Sequence, residues 1–173
     1  MRFERLTVLL LIFFLSAIAA QAASILQVYP QYIEKKAFQR IRSYFTGEEY
    51  VGRRIITRTQ PDVYEGYYFV LRLIEKVREL PPGSQVQLAM IVPKKAKPLV
   101  YRLSIPDRQD SNTHEIYVGI TGDDWNLDEE SILAWQVALI SPDQRVLSKQ
   151  ESFLWSMPEE QTVQANPVSA SGN

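Results

Sequence analysis

From residue 53 onward, apolar and polar residues alternate along the chain with a period of two. This alternation is typical of β-strands that turn one face to a core. Prolines, glycines and short polar runs separate the alternating segments. We predict seven strands, over residues 53–59, 66–74, 84–92, 99–105, 114–121, 132–140 and 145–155.

A different spacing precedes these strands. Apolar residues recur there every four positions, at Ile33, Ala37, Ile41 and Phe45. This period predicts a helix over residues 27–45, with Pro30 in its first turn and Gly47 after its end. We therefore assign residues 23–52 to an N-terminal helical segment that packs on the strands or caps one end of them.

The seven strands follow one another without long amphipathic helices between them, which disfavours a parallel α/β sheet. Trp135 faces inward in a late strand, and a tight turn at Ser141-Pro142-Asp143-Gln144 leads to the last one. Between residues 53 and 156 the chain resembles an immunoglobulin or fibronectin-III-like domain in architecture. The resemblance implies an all-β, seven-stranded antiparallel sandwich. It identifies no specific family, since the Cys…Trp…Cys framework and a clear tyrosine corner are absent.

The N-terminus has the layout of a secretory signal peptide over residues 1–22. Arg2 and Arg5 precede the short apolar run 6–20, and an A-x-A site ends at Ala22. The alternative is a membrane anchor, but the run is shorter than the roughly 20 residues that a spanning helix needs. We expect cleavage after Ala22, a secreted or periplasmic bacterial protein, and no stable membrane insertion afterwards.

Composition narrows the chemistry further. The chain has no cysteine, which excludes disulfides, thiol catalysis and a lipoprotein anchor, and its formal net charge of −1 argues against nucleic-acid binding. Residues 157–173 are rich in Glu, Gln, Ser, Pro and Ala, so we predict a disordered C-terminal tail. The length left after cleavage suits one domain.

The sequence offers little catalytic chemistry. It has one histidine, His114, no G-x-S-x-G elbow and no glycine-rich phosphate loop, so we predict neither an enzyme nor a cofactor. Carboxylates are plentiful at 123–130, but they come from a single loop, whereas a glycosidase holds its pair across a cleft. A carboxylate-dependent hydrolase therefore stays a second alternative.

The same acidic loop raises the question of calcium. Asp124-Trp125-Asn126-Leu127-Asp128 matches the first three ligand positions of an EF-hand. Glu129 stands where the motif needs glycine, and Trp135 stands where it needs a bidentate glutamate. We predict no metal site and leave open an irregular calcium site in loop 123–130.

Aromatic residues are the remaining candidates. Tyr64, beside a turn, and Trp125, in a loop, are the two we expect to be exposed and available for binding. Trp135 faces inward, and we expect Phe153 and Trp155 to close the core beside it. The main hypothesis is an exported, non-enzymatic sandwich that binds another protein in the bacterial envelope or outside the cell.

A carbohydrate-binding module is the first alternative. Three exposed, coplanar aromatic rings would favour a glycan. An exposed apolar sheet edge would favour a protein partner.

Overall fold

A computed structural model describes residues 23–38, 54–93, 95, 97–106, 112–125 and 132–155. Eight strands lie within these ranges: β1 (Ile25–Ile33), β2 (Ile55–Arg58), β3 (Gly66–Leu73), β4 (Gln85–Ile91), β5 (Leu99–Ser104), β6 (Glu115–Thr121), β7 (Ala134–Ile140) and β8 (Val146–Glu151). Short 3₁₀ turns are at Lys35–Phe38, Val77–Glu79 and Gly122–Asp124.

The strands form two four-stranded sheets. The first sheet has the order β1-β3-β6-β2 and the second the order β5-β4-β7-β8. Neighbours are antiparallel except β2 and β6, which run parallel. The chain changes sheet between β3 and β4, between β5 and β6, and between β6 and β7. This is an immunoglobulin-like sandwich, with β1, β3 and β6 in one sheet as strands A, B and E, and β4, β7 and β8 in the other as C, F and G.

All seven strands predicted from the alternation are confirmed, but the helix predicted over 27–45 is wrong for its first part. Residues 27–33 belong to β1, which pairs antiparallel with β3. Pro30 suits the first turn of a helix, but an edge strand also tolerates it because one side of its backbone needs no partner. The sandwich therefore begins with β1 rather than at residue 53. Residues 39–45 of the predicted helix lie outside the described residues.

The core lies between the two sheets and is built from the inward positions of the alternating strands. Burial on this side is nearly complete in β3, β4, β6 and β7. The largest of these inward side chains are Phe69, Leu71, Leu88, Met90, Ile116, Ile120 and Leu139. Edge strand β5 contributes side chains that are only half-buried, Tyr101 and Leu103 among them.

The start of β1 bridges the two sheets. The Ile25 N–H donates to Ser148 Oγ of β8 at 3.0 Å, and the Gln150 amide Nε2 donates to the Ile25 carbonyl at 3.2 Å. Ser148 and Gln150 lie opposite core residues of β7, so their side chains project inward. They form a polar border at this edge of the core. The contact ties the first described strand to the last.

The prediction that Phe153 closes the core is wrong. β8 ends at Glu151, Ser152 bonds to the backbone of Trp135, and residues 153–155 form a turn with Trp155 N–H donating to the Ser152 carbonyl at 3.0 Å. Because the chain leaves the sheet there, Phe153 is 81% exposed. Trp135 itself is half-buried against the core, as predicted.

Several expectations fall on parts of the chain outside the described residues. These are the signal peptide over 1–22, the tail over 157–173 and most of the acidic loop 123–130. In the described part of the chain, no helix has the length and apolar character needed to cross a membrane.

Candidate interaction surface

Trp125, one of the two aromatic binding candidates, packs on the core instead of standing free. The 3₁₀ turn Gly122–Asp124 precedes it, and its N–H donates to the Gly122 carbonyl at 2.9 Å. Its indole stacks on Tyr67, with ring centres 4.7 Å apart and planes 14° from parallel. Tyr67 is an inward residue of β3, so this stack extends the aromatic end of the core.

Tyr64, the second candidate, belongs to the opposite side of the first sheet. Its carbonyl accepts a hydrogen bond from the Tyr68 hydroxyl at 2.6 Å, and the guanidinium of Arg58 lies 4.9 Å from its ring centre. The structure therefore does not bring Tyr64 and Trp125 together.

Tyr64 is part of what we call the outer-face cluster. Its members lie on the side of the first sheet that faces away from the core: Phe38, Arg54, Arg58, Tyr64, Tyr68 and Tyr117. Tyr68 is fully buried although it points outward, because Phe38 covers its ring at 5.3 Å and Arg58 Nε donates to its hydroxyl at 2.7 Å. The cluster is a second, smaller core. The aromatic rings that contact Arg58 pack against one another and against its guanidinium group.

Two further features show how tightly this cluster is built. Gly119 of β6 lies opposite Tyr68, and a Cβ at that position would come within 2.5 Å of the Tyr68 ring. Burial raises the pKa of Tyr117, and the carboxylate of Glu115 raises it further.

The rings required for a glycan platform are not found in the described residues. The exposed tyrosines of β1 are Tyr29 and Tyr32, with 40% and 36% exposure. They are three residues apart in a strand, so they project to opposite faces. Phe153 is also exposed, but it follows β8 of the second sheet, whereas both tyrosines belong to the first sheet.

His114 has a structural role. Its Nδ1 lies 3.1 Å from the carbonyl oxygens of both Ile74 and Glu75, which fixes that nitrogen as the N–H donor. The residue is exposed just before β6 begins, although its position has the parity of the inward residues of that strand. Among the described residues, no three His, Asp or Glu side chains are grouped so as to hold a metal.

The described carboxylates do not form an opposed pair in a cleft. A groove of about 420 Å³ beside the turn Val77–Glu79 is lined by Glu79 as its described carboxylate. A second groove of about 390 Å³ is lined by Glu34, which is ion-paired with Lys36. Asp143 has a lowered pKa because the Ser141 hydroxyl, and then Arg145, bond to it within the β7–β8 turn.

The edges of the sheets differ more than their faces. At β1, the free side is interrupted by Pro30. The Leu73 N–H of β3 donates to the His114 carbonyl, on the side of β6. Phe69 lies four residues earlier in the same strand, so its backbone groups also point toward β6. Pro30 sits opposite Phe69, and its nitrogen therefore points away from β3. A proline without an N–H on the free side is a common protection of an edge strand.

At β8, charged side chains flank the free side. The Ser152 N–H donates to the Trp135 carbonyl. The backbone groups of Gln150 and Ser148, two and four residues earlier, therefore also point toward β7. Lys149 and Glu151 therefore direct their backbone groups away from β7, and their side chains form an ion pair at 3.1 Å. Lysine on an edge strand discourages pairing with other chains.

Edge strand β5 has no proline between Leu99 and Ser104, and the described partners of its charged residue Arg102 are the neutral amides of Gln87 and Gln144. Ile105 N–H donates to the Ser84 carbonyl at 3.1 Å, so Leu103, Tyr101 and Leu99 also direct their backbone groups to β4. The alternate residues then face the open side, and within the described chain β4 is the strand paired with β5. These alternate residues are Val100, Arg102 and Ser104, which we call the free edge of β5.

Side chains leave this free edge accessible. Val100 is 56% exposed. Arg102 bends back over the sheet, where Nε donates to Gln87 Oε1 at 2.9 Å and Nη1 to Gln144 Oε1 at 3.3 Å. On the inner side Tyr101 is half-buried, and burial raises its pKa, with a smaller contribution from Asp124.

Sequence reasoning predicted β5 and its two faces but not its free edge. The alternation of Leu99, Tyr101 and Leu103 with Arg102 and Ser104 is confirmed. Nothing in this pattern distinguishes an edge strand from a central one. The usable signal was Pro30, which marks β1 as an edge strand once it is recognised as a strand.

No protein-family model matches the chain, and the comparison with curated proteins gives no match. Among solved structures, the chain is similar to an immunoglobulin-like protein from Pseudomonas aeruginosa. The two share 12% sequence identity over 77% of this chain and 97% of the other, with a TM-score of 0.31.

Proposed function

We propose that this chain is an exported, non-enzymatic bacterial domain that binds another protein in the envelope or outside the cell. The observation that carries the proposal is the free edge of β5. Among the described residues, its three members direct their backbone donors and acceptors away from β4, beside the exposed side chain of Val100. Such an edge is a template for pairing with another chain, and proteins that do not use it usually block it. In the same molecule Pro30 interrupts the free side of β1, and the Lys149–Glu151 ion pair flanks that of β8.

Two further points support the proposal. Two side chains of kinds used in catalysis have structural partners: His114 bonds to backbone carbonyls, and Asp143 bonds within a turn. Ala23 and Ile25 are buried in the sandwich, so cleavage after Ala22 would leave the described contacts of β1 in place.

A capture experiment with a matched pair of variants tests the proposal. The tagged chain is exposed to cross-linked envelope extract as wild type, as Val100→Pro and as Lys149→Pro. Proline at either position removes an N–H from a free side only, so both variants keep their ladder bonds. We expect one protein to be captured by wild type and Lys149→Pro and lost with Val100→Pro.

Export is tested separately. Mass spectrometry of the protein recovered outside the cytoplasm should give an N-terminus at Ala23. Recovery of the uncleaved chain in the membrane fraction would contradict cleavage. Capture of the same proteins by all three variants would contradict a β5 partner.

A further inference from the structure

We infer that the free edge of β5 takes an extended segment of a partner protein in which apolar and polar residues alternate and a carboxylate lies opposite Arg102. The inference rests on the proposed function and specifies its partner. The mode is addition of a strand to a sheet, in which backbone bonds provide affinity and alternate side chains provide specificity.

The length of the segment follows from the free edge. β5 has six residues, and three of them direct backbone groups outward. A strand rises about 3.3 Å per residue, so an added segment of about five to seven residues can pair with all three. Pro98 has no N–H and directly precedes β5, and the described residues after the strand end at 106. We therefore take the length of the edge as that of the strand.

The apolar half of the pattern follows from the inner side of β5. Tyr101 and Leu103 project toward the core but stay half-buried, because the second sheet ends at this strand. An added strand would continue the inner face, and apolar side chains at its inward positions would cover the exposed parts of Tyr101 and Leu103. A polar residue there would bury a group without a partner.

The acidic half follows from charge. Arg102 is the middle residue of the free edge, and its exposed side chain bonds to the neutral amides of Gln87 and Gln144. Exposed Lys95 and Lys97 lie in the loop just before β5. Asp124 is the acid that contributes to the field at Tyr101, and it acts on the inner side. A carboxylate on the outer side therefore meets positive charge from the strand and from the preceding loop.

A second copy of this chain fits the edge less well. In an antiparallel pair about a two-fold axis, the register that uses all three free residues places the two copies of Arg102 directly opposite each other. Like charges in that position destabilise the pair. The charge pattern thus favours a different, acidic chain.

Selection from a displayed library of random twelve-residue peptides on the immobilised full chain tests the inference. We expect the selected peptides to alternate apolar and polar residues and to be enriched in Asp and Glu. Their affinity, measured by fluorescence anisotropy, should fall at least about tenfold for Val100→Pro and stay unchanged for Lys149→Pro. Arg102→Glu should weaken the same peptides by about tenfold, since a cross-strand attraction becomes a repulsion.

Amide exchange provides a readout that an ordinary surface contact would not give. The N–H groups of Val100, Arg102 and Ser104 should exchange rapidly in the free protein and become protected when a selected peptide binds. Should Val100→Pro lower the melting temperature substantially, Ser104→Pro repeats the test at another free residue.

Each other outcome has a definite meaning. Peptides that are basic, that lack alternation or that bind Val100→Pro as wild type overturn the inference. If the envelope partner is nevertheless lost with Val100→Pro, the proposed function stands and only the partner's chemistry is wrong. A dimer in sedimentation velocity that Val100→Pro dissociates would identify a second copy as the occupant and overturn the choice of a different chain.

Discussion

The first sheet and the second sheet of this sandwich protect themselves in different ways. The first has its outward side covered by the Phe38–Tyr68 contact and its β1 edge interrupted by Pro30. The second is protected at β8 by the Lys149–Glu151 ion pair, but its β5 edge has three free residues. Each sheet thus has one edge with an identified protection, β1 in the first and β8 in the second, and the first sheet in addition has part of its outward side covered.

The difference teaches where to look for function in a sandwich without catalytic groups. Burial and alternation are similar in both sheets, since both must fill the same core. The edge strands differ in what accompanies their outward backbone groups: a proline at β1, an ion pair at β8, and an arginine bonded to neutral amides at β5. We therefore treat the free edge of β5 as the part of the molecule least explained by stability.

The largest expected effect tests the direction of the β5 backbone. Tyr101→Pro removes an N–H directed at β4 and a half-buried ring, so it should lower the free energy of unfolding by about 3 kcal/mol or more. Val100→Pro removes an N–H directed at solvent and should cost less than about 1 kcal/mol. Urea denaturation of the two variants measures the difference. Equal losses would mean that the free edge has been assigned to the wrong residues.

A somewhat smaller effect tests the covered face of the first sheet. Gly119→Ala places a methyl group within 2.5 Å of the Tyr68 ring, so it should destabilise the fold by about 2–3 kcal/mol through overpacking. Thermal and urea unfolding measure the loss. In a Tyr68→Leu background the same substitution should cost much less, because the ring it meets is gone. Additive losses would contradict a tight contact between β3 and β6 at this point.

The smallest effect is one of pH and compares a tyrosine from each sheet. Burial raises the pKa of both Tyr101 and Tyr117, so the folded state holds their protons more firmly than the unfolded state. Stability from these groups is complete below the unfolded value of about 10 and is lost as the pH rises above it. Absorbance of the phenolate in wild type, Tyr101→Phe and Tyr117→Phe follows each group. Titration of either tyrosine at or below pH 10 would contradict its burial.

The strands could be predicted because a strand with one buried face alternates apolar and polar residues in the sequence. Strand β4 alternates the large apolar residues Val86, Leu88 and Met90 with Gln85, Gln87 and Ala89, and the structure buries the large ones as the alternation predicts. β1 was misread because four-residue spacing from Ile33 onward competes with a strand that contains Pro30. Pairing with β3 provides the backbone bonds that decide the matter, and such pairing is a long-range property.

The candidate site was less predictable than the fold. Trp125 and Tyr64 were expected to be exposed because they lie beside turns, but each found a partner in a distant strand or loop: Tyr67 for one, Arg58 for the other. Tyr68 lies on the outward face that the alternation predicts, yet it is buried by Phe38. The identity of the edge strands depends on the order of strands in each sheet, which local alternation does not encode.

The bridge from Ile25 to β8 bears on the order in which the chain can fold. Ile25 bonds to Ser148 and Gln150, which are 123 and 125 positions away along the sequence. Contacts of such separation carry a large loop-closure entropy and slow the final folding step. During synthesis β3 is available to β1 early, but β8 is the last strand to be made. The first strand of the sandwich must therefore wait for the last before the two sheets can be joined at that side.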